Sequence, residues 1–581
     1  GNDGGLNISW DQGRSWDFVN TMATALAYVV SADMRRPYYV YVGLQDNGSW
    51  GGPSAVRGRG GIMNSDWFGI GGGDGFHTAV DPSDYNIVYT ESQDGATNRY
   101  DLRLGRGQSV RPSAGRGRGG PPREGGGGEP QAAARGGAAP AAAPSATQTT
   151  APVAPPVQVG GAGGFGRGAG PPNVVNATPG DQYRFNWNTP FMLSPHNPSI
   201  VWLGGNRLFK SYNRGDTWVA SDDLTKKVDR NTVALMGVPG NETQLSKNDG
   251  VVSYSTIVSL SESPVMPGVV WAGTDDGNLQ VSRDGGVTFT EVGRNLPGLP
   301  ANHQYWISRI DASHVDPAVA YVAVDGHRSD DLKPYVFVTR DFGGTFEAIA
   351  SDLPPYGNVQ VVREDPKNRD LLYAGTEFGV FVSLDCGKHW QRFMNNLPTV
   401  RTDDILVHPR DNDLIVATHG RSVWIADDIT PLQQLSPAVR DAEVTLFDIR
   451  PAIAWLNDQQ HNQAVGGQKV FVGENAPRGA AISYYLKAPA GGDVKISIAD
   501  ITGRVLRTID GTKTAGINRV VWNLTPATAP AQPGGGFAGF GAGRGGFGVV
   551  EPGTYLVTLE VGGKKLTKPV QVLQDRWLGE R

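Results

Sequence analysis

The sequence predicts an all-β chain, a seven-bladed β-propeller followed by a small Ig-like β-sandwich, and three observations predict it. An octapeptide of the form Ser/Thr-x-Asp-x-Gly-x-x-Trp/Phe occurs five times when Asn is allowed in place of Asp once. Strand-like runs that start at a D-P or N-P turn, alternate apolar residues and end near glycine recur at blade-like spacing. After Thr430-Pro431 the octapeptides stop and a different strand pattern begins.

The octapeptides are SWDQGRSW from Ser9, SYNRGDTW from Ser211, SRDGGVTF from Ser282, TRDFGGTF from Thr339 and SLDCGKHW from Ser383. Each resembles the Asp box, a hairpin turn. The short carboxylate and hydroxyl accept backbone N–H groups, the glycine relaxes the turn, and the aromatic ring packs beneath it. A motif that satisfies backbone donors in this way needs no catalytic purpose, so these aspartates are expected to be structural.

The candidate innermost strands are ALAYVVSA, GFHTAVDP, PFMLSP, STIVSLSES, WISRIDAS, VQVVREDP and DILVHP, which gives seven blades. The last blade runs out after SVWIADD at Asp428. The opening hairpin, Leu6 to Asn20, is expected either to complete that blade and close the ring or to be the tail of an upstream propeller. The first residues, GNDGGLNISW, read as mid-repeat, so an upstream portion carrying any export signal is expected.

Two segments interrupt the pattern. Residues 105–179 are Gly, Ala, Pro and Arg with almost no apolar periodicity and read as a disordered loop within one blade. A Gly/Phe-rich loop spans 534–548. The propeller is assigned to 1–432 and the sandwich to 433–581, where alternating runs such as DVKISIADITGRVLRTI and GTYLVTLEVGG surround glycine turns. Its expected core is Ile496, Ile498, Val505, Leu506, Val521, Trp522, Leu524, Tyr555, Val557 and Leu559.

Composition narrows the partners. The 581 residues hold 80 Gly, 40 Pro and 14 Trp with a formal net charge of -5, so no basic field points to nucleic acid. One cysteine, Cys386, excludes a disulfide framework and a multi-cysteine zinc site. No apolar run is long enough to span a membrane. No cofactor and no metal site are expected.

In a propeller the octapeptide hairpins decorate one face, and the loops between second and third strands, with those leading into each blade, decorate the other. That second face collects Asp46, Asn47, Asn186, Trp187, Asp275, Asp276, His303, Tyr305, Trp306, Asp325, His327, Arg328, Glu377, His419 and Arg421 as candidate ligand-binding residues. Carboxylates beside aromatic platforms suit carbohydrate binding or glycoside hydrolysis. Asp74, in GIGGGDGFH, is the catalytic candidate for the hydrolytic alternative. Asp-Gly and Asn-Gly are also simply favourable tight turns.

Through GLQDNGSW, GGGDGFHTAVDP, YRFNWNTPFMLSP, DGHRSDDLKPY, GTEFGVFVSLDCGKHW and ATHGRSVWIADDITPL, residues 1 to about 432 resemble the bacterial sortilin-like, Asp-box (BNR) propellers often labelled glycosyl hydrolases by similarity. The tail resembles the Ig-like domain of flagellar hook-capping proteins. More distantly the chain is similar to glycoside hydrolase family 74, xyloglucan-cleaving enzymes with two propellers and an aspartate pair between them. The resemblance implies an extracytoplasmic propeller. It also matches Asp74 to one aspartate of that pair, the other coming from an upstream propeller. The expected function is a non-catalytic binding or scaffolding module for a glycan, a peptide or a neighbouring subunit. The alternative is a glycoside hydrolase acting on a xyloglucan-like β-glucan. A sialidase reading finds no arginine triad with a tyrosine nucleophile in the sequence.

Overall fold

The computed structural model describes residues 1–581 apart from 3, 59, 116–171, 235–237, 241–252, 302, 459–468, 527–548 and 577–581. The body of the 534–548 loop and most of the 105–179 insertion therefore lie outside the described residues.

Antiparallel sheets follow one another in chain order. The first holds Ala27–Ala32, Tyr39–Leu44, Gly48–Pro53 and Phe68–Gly71; the second holds Gly75–Val80, Ile87–Ser92, Ala96–Asp101 and Arg106–Ser109. Four-stranded sheets then begin at Phe191, Ile257, Trp306 and Val359, and a three-stranded sheet begins at Thr402. Every innermost segment expected from the sequence is the first strand of one of these sheets. First strands of successive sheets touch, and that of the last sheet touches that of the first, so the sheets close into a β-propeller.

Each sheet covers one face with its neighbour's, which is why the strands are apolar on both sides. Trp202 packs between the third and fourth sheets, Trp271 between the fourth and fifth, and Tyr373 between the sixth and last. All three are essentially buried.

The octapeptides share one hydrogen-bond pattern. Ser282 Oγ accepts from Gly286 N at 2.8 Å, and Asp284 Oδ1 accepts from Thr288 N at 2.9 Å. The same two bonds recur at Ser9 and Asp11, Ser211 and Asn213, Thr339 and Asp341, and Ser383 and Asp385. Trp218 and Trp390 are buried beneath their turns, whereas Trp16 is 66% exposed. The reason is that the opening hairpin, Asn7–Ile8 with Asp17–Phe18, forms its own two-stranded sheet. It does not complete the last blade, which keeps three strands.

The insertion is also narrower than its composition indicated. Arg106–Ser109 pairs with Asn98–Asp101 as the fourth strand of its sheet, and Val110 and Val174 are buried. Backbone pairing recruits a Gly/Arg segment that has no apolar pattern of its own.

After the short helices Thr430–Gln433 and Pro437–Asp441, a three-stranded sheet (Val444–Leu446, Ala480–Leu486, Gly516–Trp522) faces a five-stranded one. Eight of the ten expected core residues line the space between them, but Val505 and Val521 are 57% and 37% exposed. Successive strand side chains point to opposite faces, so with Leu506 and Trp522 inward their predecessors must face out. This part of the chain grips the ring near its seam. Arg57 meets Asp575 through two 2.8 Å bonds, Arg450 meets Asp413 at 2.6 Å, and Val472–Gly473 pairs with Ile62–Met63.

The seam joins the first and last sheets without covalent continuity. Asp404, 1% exposed, accepts from Val30 N at 3.2 Å across the seam and from Arg363 at 2.9 Å, and lies 3.3 Å from Arg309. Arg363 continues to Asp311 at 3.0 Å. Burial opposes ionisation of Asp404, and the two guanidiniums overcome it, so its carboxyl stays below the usual range. Replacing Asp404 with Asn should leave buried cations undercompensated and cost about 3–5 kcal/mol. The check is the midpoint of chemical denaturation, which should fall with little change in slope.

Candidate functional site

The candidate residues lie on the face opposite the octapeptide hairpins, because each sits at or next to a turn between second and third strands or at the start of a first strand. The face divides into three neighbourhoods.

At the first and second sheets, Asp46 N donates to Asp74 Oδ1 at 2.8 Å. The Asp46 carboxyl is raised by burial, then by the charge of Asp74 and a side-chain hydrogen bond to it. Asp74 thus has a carboxyl partner within this chain, which the sequence could not supply. The glycines around it have a packing reason. A Cβ on Gly43 would lie 2.3 Å from the Phe76 carbonyl oxygen, and one on Gly75 would lie 2.3 Å from that of Gly48. Two backbones meet here, and that contact fixes Asp74 under the Asp46 turn. Tyr28, not anticipated, donates to Gln45 at 2.5 Å; burial raises its hydroxyl, and Asp403 and Asp74 add to the shift. Asn47 caps its own turn through Gln45 O, and Trp187 sets its ring edge-on to Phe76.

At the fourth sheet, Asp275 and Asp276 are fully buried. Asp275 accepts from Thr256 N, Thr256 Oγ1 and Asn186 Nδ2, and Asp276 accepts from Lys226 N. Burial, reinforced by Asp276, pushes the Asp275 carboxyl up to about 7. Arg230 stacks 5.0 Å from the centre of the Tyr254 ring, and the Tyr254 hydroxyl donates to Asp275 O. Burial holds His303 neutral down to about 4, with Lys226 adding to the effect.

At the fifth to last sheets, Asp325 accepts from His327 at 2.6 Å, Asn358 at 2.8 Å and Gln360 at 3.2 Å. Burial works against its charge, but these donors hold its carboxyl low. Gln360 also accepts from Arg401, which binds Asp403 at 2.8 Å, and His419 lies 3.1 Å from that same carboxylate. Arg328 lies 3.9 Å over the Trp306 ring. Glu377 stands in the field of Arg401. Arg421 is exposed.

Asn186, Asp275, Asp276, Asp325 and Tyr305 are buried, so they build the loops rather than present themselves to a ligand. Tyr305 belongs to the core, its hydroxyl bound to Asp331 at 2.9 Å. The residues missed were Tyr28, within the first strand of its sheet, Lys226 and Arg230, in the segment after Val219–Asp223, and Tyr254 and Arg401, just ahead of a first strand; none lies in a turn motif.

Among the described residues no group of three or more His, Cys, Asp or Glu is arranged to hold a metal ion. No helix among them is long and apolar enough to cross a membrane.

No protein-family model matches the chain, and no curated protein sequence matches it. Among solved structures, an ancestral GH74 enzyme is 16% identical at TM-score 0.30, covering 55% of this chain and 38% of its own. The GH74 xyloglucanase from Xanthomonas campestris is 14% identical at TM-score 0.43, with coverages of 86% and 68%. PorZ, a surface component of the type-IX secretion system of Porphyromonas gingivalis, is 13% identical at TM-score 0.37, with coverages of 95% and 59%. The chain spans less than two thirds of the first and third of these proteins. Its chemistry is read from its own residues.

Asp275 makes stability pH-dependent in a stated direction. Its folded pKa lies above the unfolded value of about 4, so between these the unfolded chain ionises while the folded one keeps its proton. Stability from this group is therefore lost as pH rises from about 4 through 7. Asp275→Asn removes the loss, and its melting temperature relative to the parent should climb between pH 5 and pH 8. A difference that stays flat with pH would contradict the raised pKa.

Proposed function

We propose that the chain is an exported, non-catalytic binding or scaffolding module. Residues 1–432 form a seven-bladed ring with Asp-box hairpins, and 433–581 form an Ig-like sandwich that serves as spacer or attachment. The observation that carries the reading is the state of the carboxylates on the loop face. Asp275, Asp276 and Asp325 are buried and bonded into their own loops. Asp74 is in hydrogen-bond contact with Asp46.

Glycoside hydrolysis uses two carboxyls about 5–5.5 Å apart for retention or about 6.5–9.5 Å apart for inversion. Asp74 instead spends a carboxylate oxygen on the Asp46 backbone N–H at 2.8 Å. Besides Asp46 and Glu377, what the face keeps exposed or half-buried is largely cationic and aromatic, including Trp187, Trp306, Arg328, His419 and Arg421, groups suited to recognising a partner. The partner class is a glycan, a peptide or a neighbouring subunit of an extracytoplasmic assembly. The hydrolase alternative needs a second carboxylate at the right spacing, which the resemblance to glycoside hydrolase family 74 would draw from an upstream propeller.

The test is a polysaccharide binding screen by affinity electrophoresis, run beside a reducing-end release assay on xyloglucan and related β-glucans. Binding without release is expected. Release that disappears in Asp74→Asn would overturn the binding reading and establish hydrolysis.

A further inference from the structure

The loop face holds a cation whose hydrogen-bonding capacity is unused. Arg328 has five N–H donors in a planar fork. Its guanidinium lies 3.9 Å from the centre of the Trp306 ring and, among the described residues, donates no hydrogen bond. The nearby carboxylates are already occupied. Asp325 is bound by His327, Asn358 and Gln360, and Asp275 by Thr256 and Asn186.

Two more guanidiniums stand in its field. Arg230 precedes the fourth sheet and Arg401 precedes the last, so three separate sheets bring like charge to one place. Arg401 is held by Asp403 and Gln360, and Arg230 is stacked on Tyr254. Asp325 and Asp403 offset part of this like charge but accept their bonds from other donors, so the Arg328 fork stays open to an added anion. Burial pulls Arg328 below the usual guanidinium value; Asp325 opposes the shift, and Arg401 and Arg230 add to it.

We propose that Arg328, flanked by Arg230 and Arg401, is the anchor of a carboxylate-binding subsite, and that the ligand is a uronate-bearing glycan. The inference rests on the binding reading above and adds the chemistry of the ligand. A planar guanidinium receives a carboxylate through two parallel bonds, which gives orientation as well as strength. The half-buried rings of Trp306 and Tyr254, each carrying a guanidinium on one face, border the site with flat apolar surface on the scale of a sugar ring. An acidic peptide would use the charge but has no need of those rings.

The experiment is isothermal titration of the whole chain with trigalacturonate, with neutral galactotriose and with a hexaglutamate peptide, at low and at moderate salt. The variants are Arg328→Met, which keeps the stem packing, and Arg328→Lys, which keeps the charge but loses the fork. The expected result is salt-sensitive binding of trigalacturonate, weakened roughly ten- to hundredfold by Arg328→Met and only partly restored by Arg328→Lys. Unchanged binding in Arg328→Met would overturn the proposal. Preference for galactotriose would do the same while leaving the binding reading intact. Arg328-dependent binding of hexaglutamate without trigalacturonate would overturn the glycan assignment. Binding of none of the three would remove the subsite, and the polysaccharide screen then judges the binding reading separately. An unchanged melting temperature in both variants shows that loss of binding is not loss of fold.

Discussion

A ring of sheets must be closed by contacts alone, and here closure turns on one buried carboxylate. Asp404 reaches Val30 across the seam and holds Arg363 and Arg309 on its own side. Around it the seam is lined with further directed bonds. Tyr38 donates to Asp413 at 3.0 Å, and His408 Nε2 lies 2.9 Å from the carbonyl of Asp33 with its ring stacked 4.1 Å from Tyr38. Apolar contact between neighbouring sheets provides adhesion but little orientation. The ion network supplies direction, and every loop on the face opposite the octapeptide hairpins takes its position from the ring that results.

The face itself follows from a division of labour among polar groups. Aspartates that look exposed in a linear reading, such as Asp275 and Asp276 before a glycine, are consumed by the loops that carry them. Each satisfies backbone and hydroxyl donors that would otherwise be buried without partners. That leaves Arg328, whose long stem reaches past its turn onto Trp306, as the group with capacity to spare.

The fold was largely legible in the sequence because turn chemistry and two-residue periodicity are local. Ser282, Asp284 and Gly286 announce a hairpin within five residues, and WISRIDAS reads as a strand without outside help. The opening hairpin misled because its octapeptide is complete, yet whether Trp16 finds a blade to cover depends on strands elsewhere. The fourth strand at Arg106–Ser109 was hidden because an edge strand can be held by backbone bonds alone. The contact of Asp46 with Asp74, and the convergence of Arg230, Arg328 and Arg401, join positions 28 to 171 residues apart. Such meetings belong to ring geometry, and no spacing rule within one segment encodes them. Val505 and Val521 show the opposite limit, where an apolar residue beside a core residue is turned outward by the pleat.

The C-terminal sandwich holds the ring at a particular place. Arg57 to Asp575 fastens it to the first sheet, while Arg450 to Asp413, and Arg519 to the carbonyls of Asp427 and Asp428, fasten it to the end of the last. These attachments straddle the junction at which the ring has no peptide bond. In mechanical terms the sandwich is a clasp: tension on the far end of the chain is shared between both sides of the seam and does not peel one side from the other.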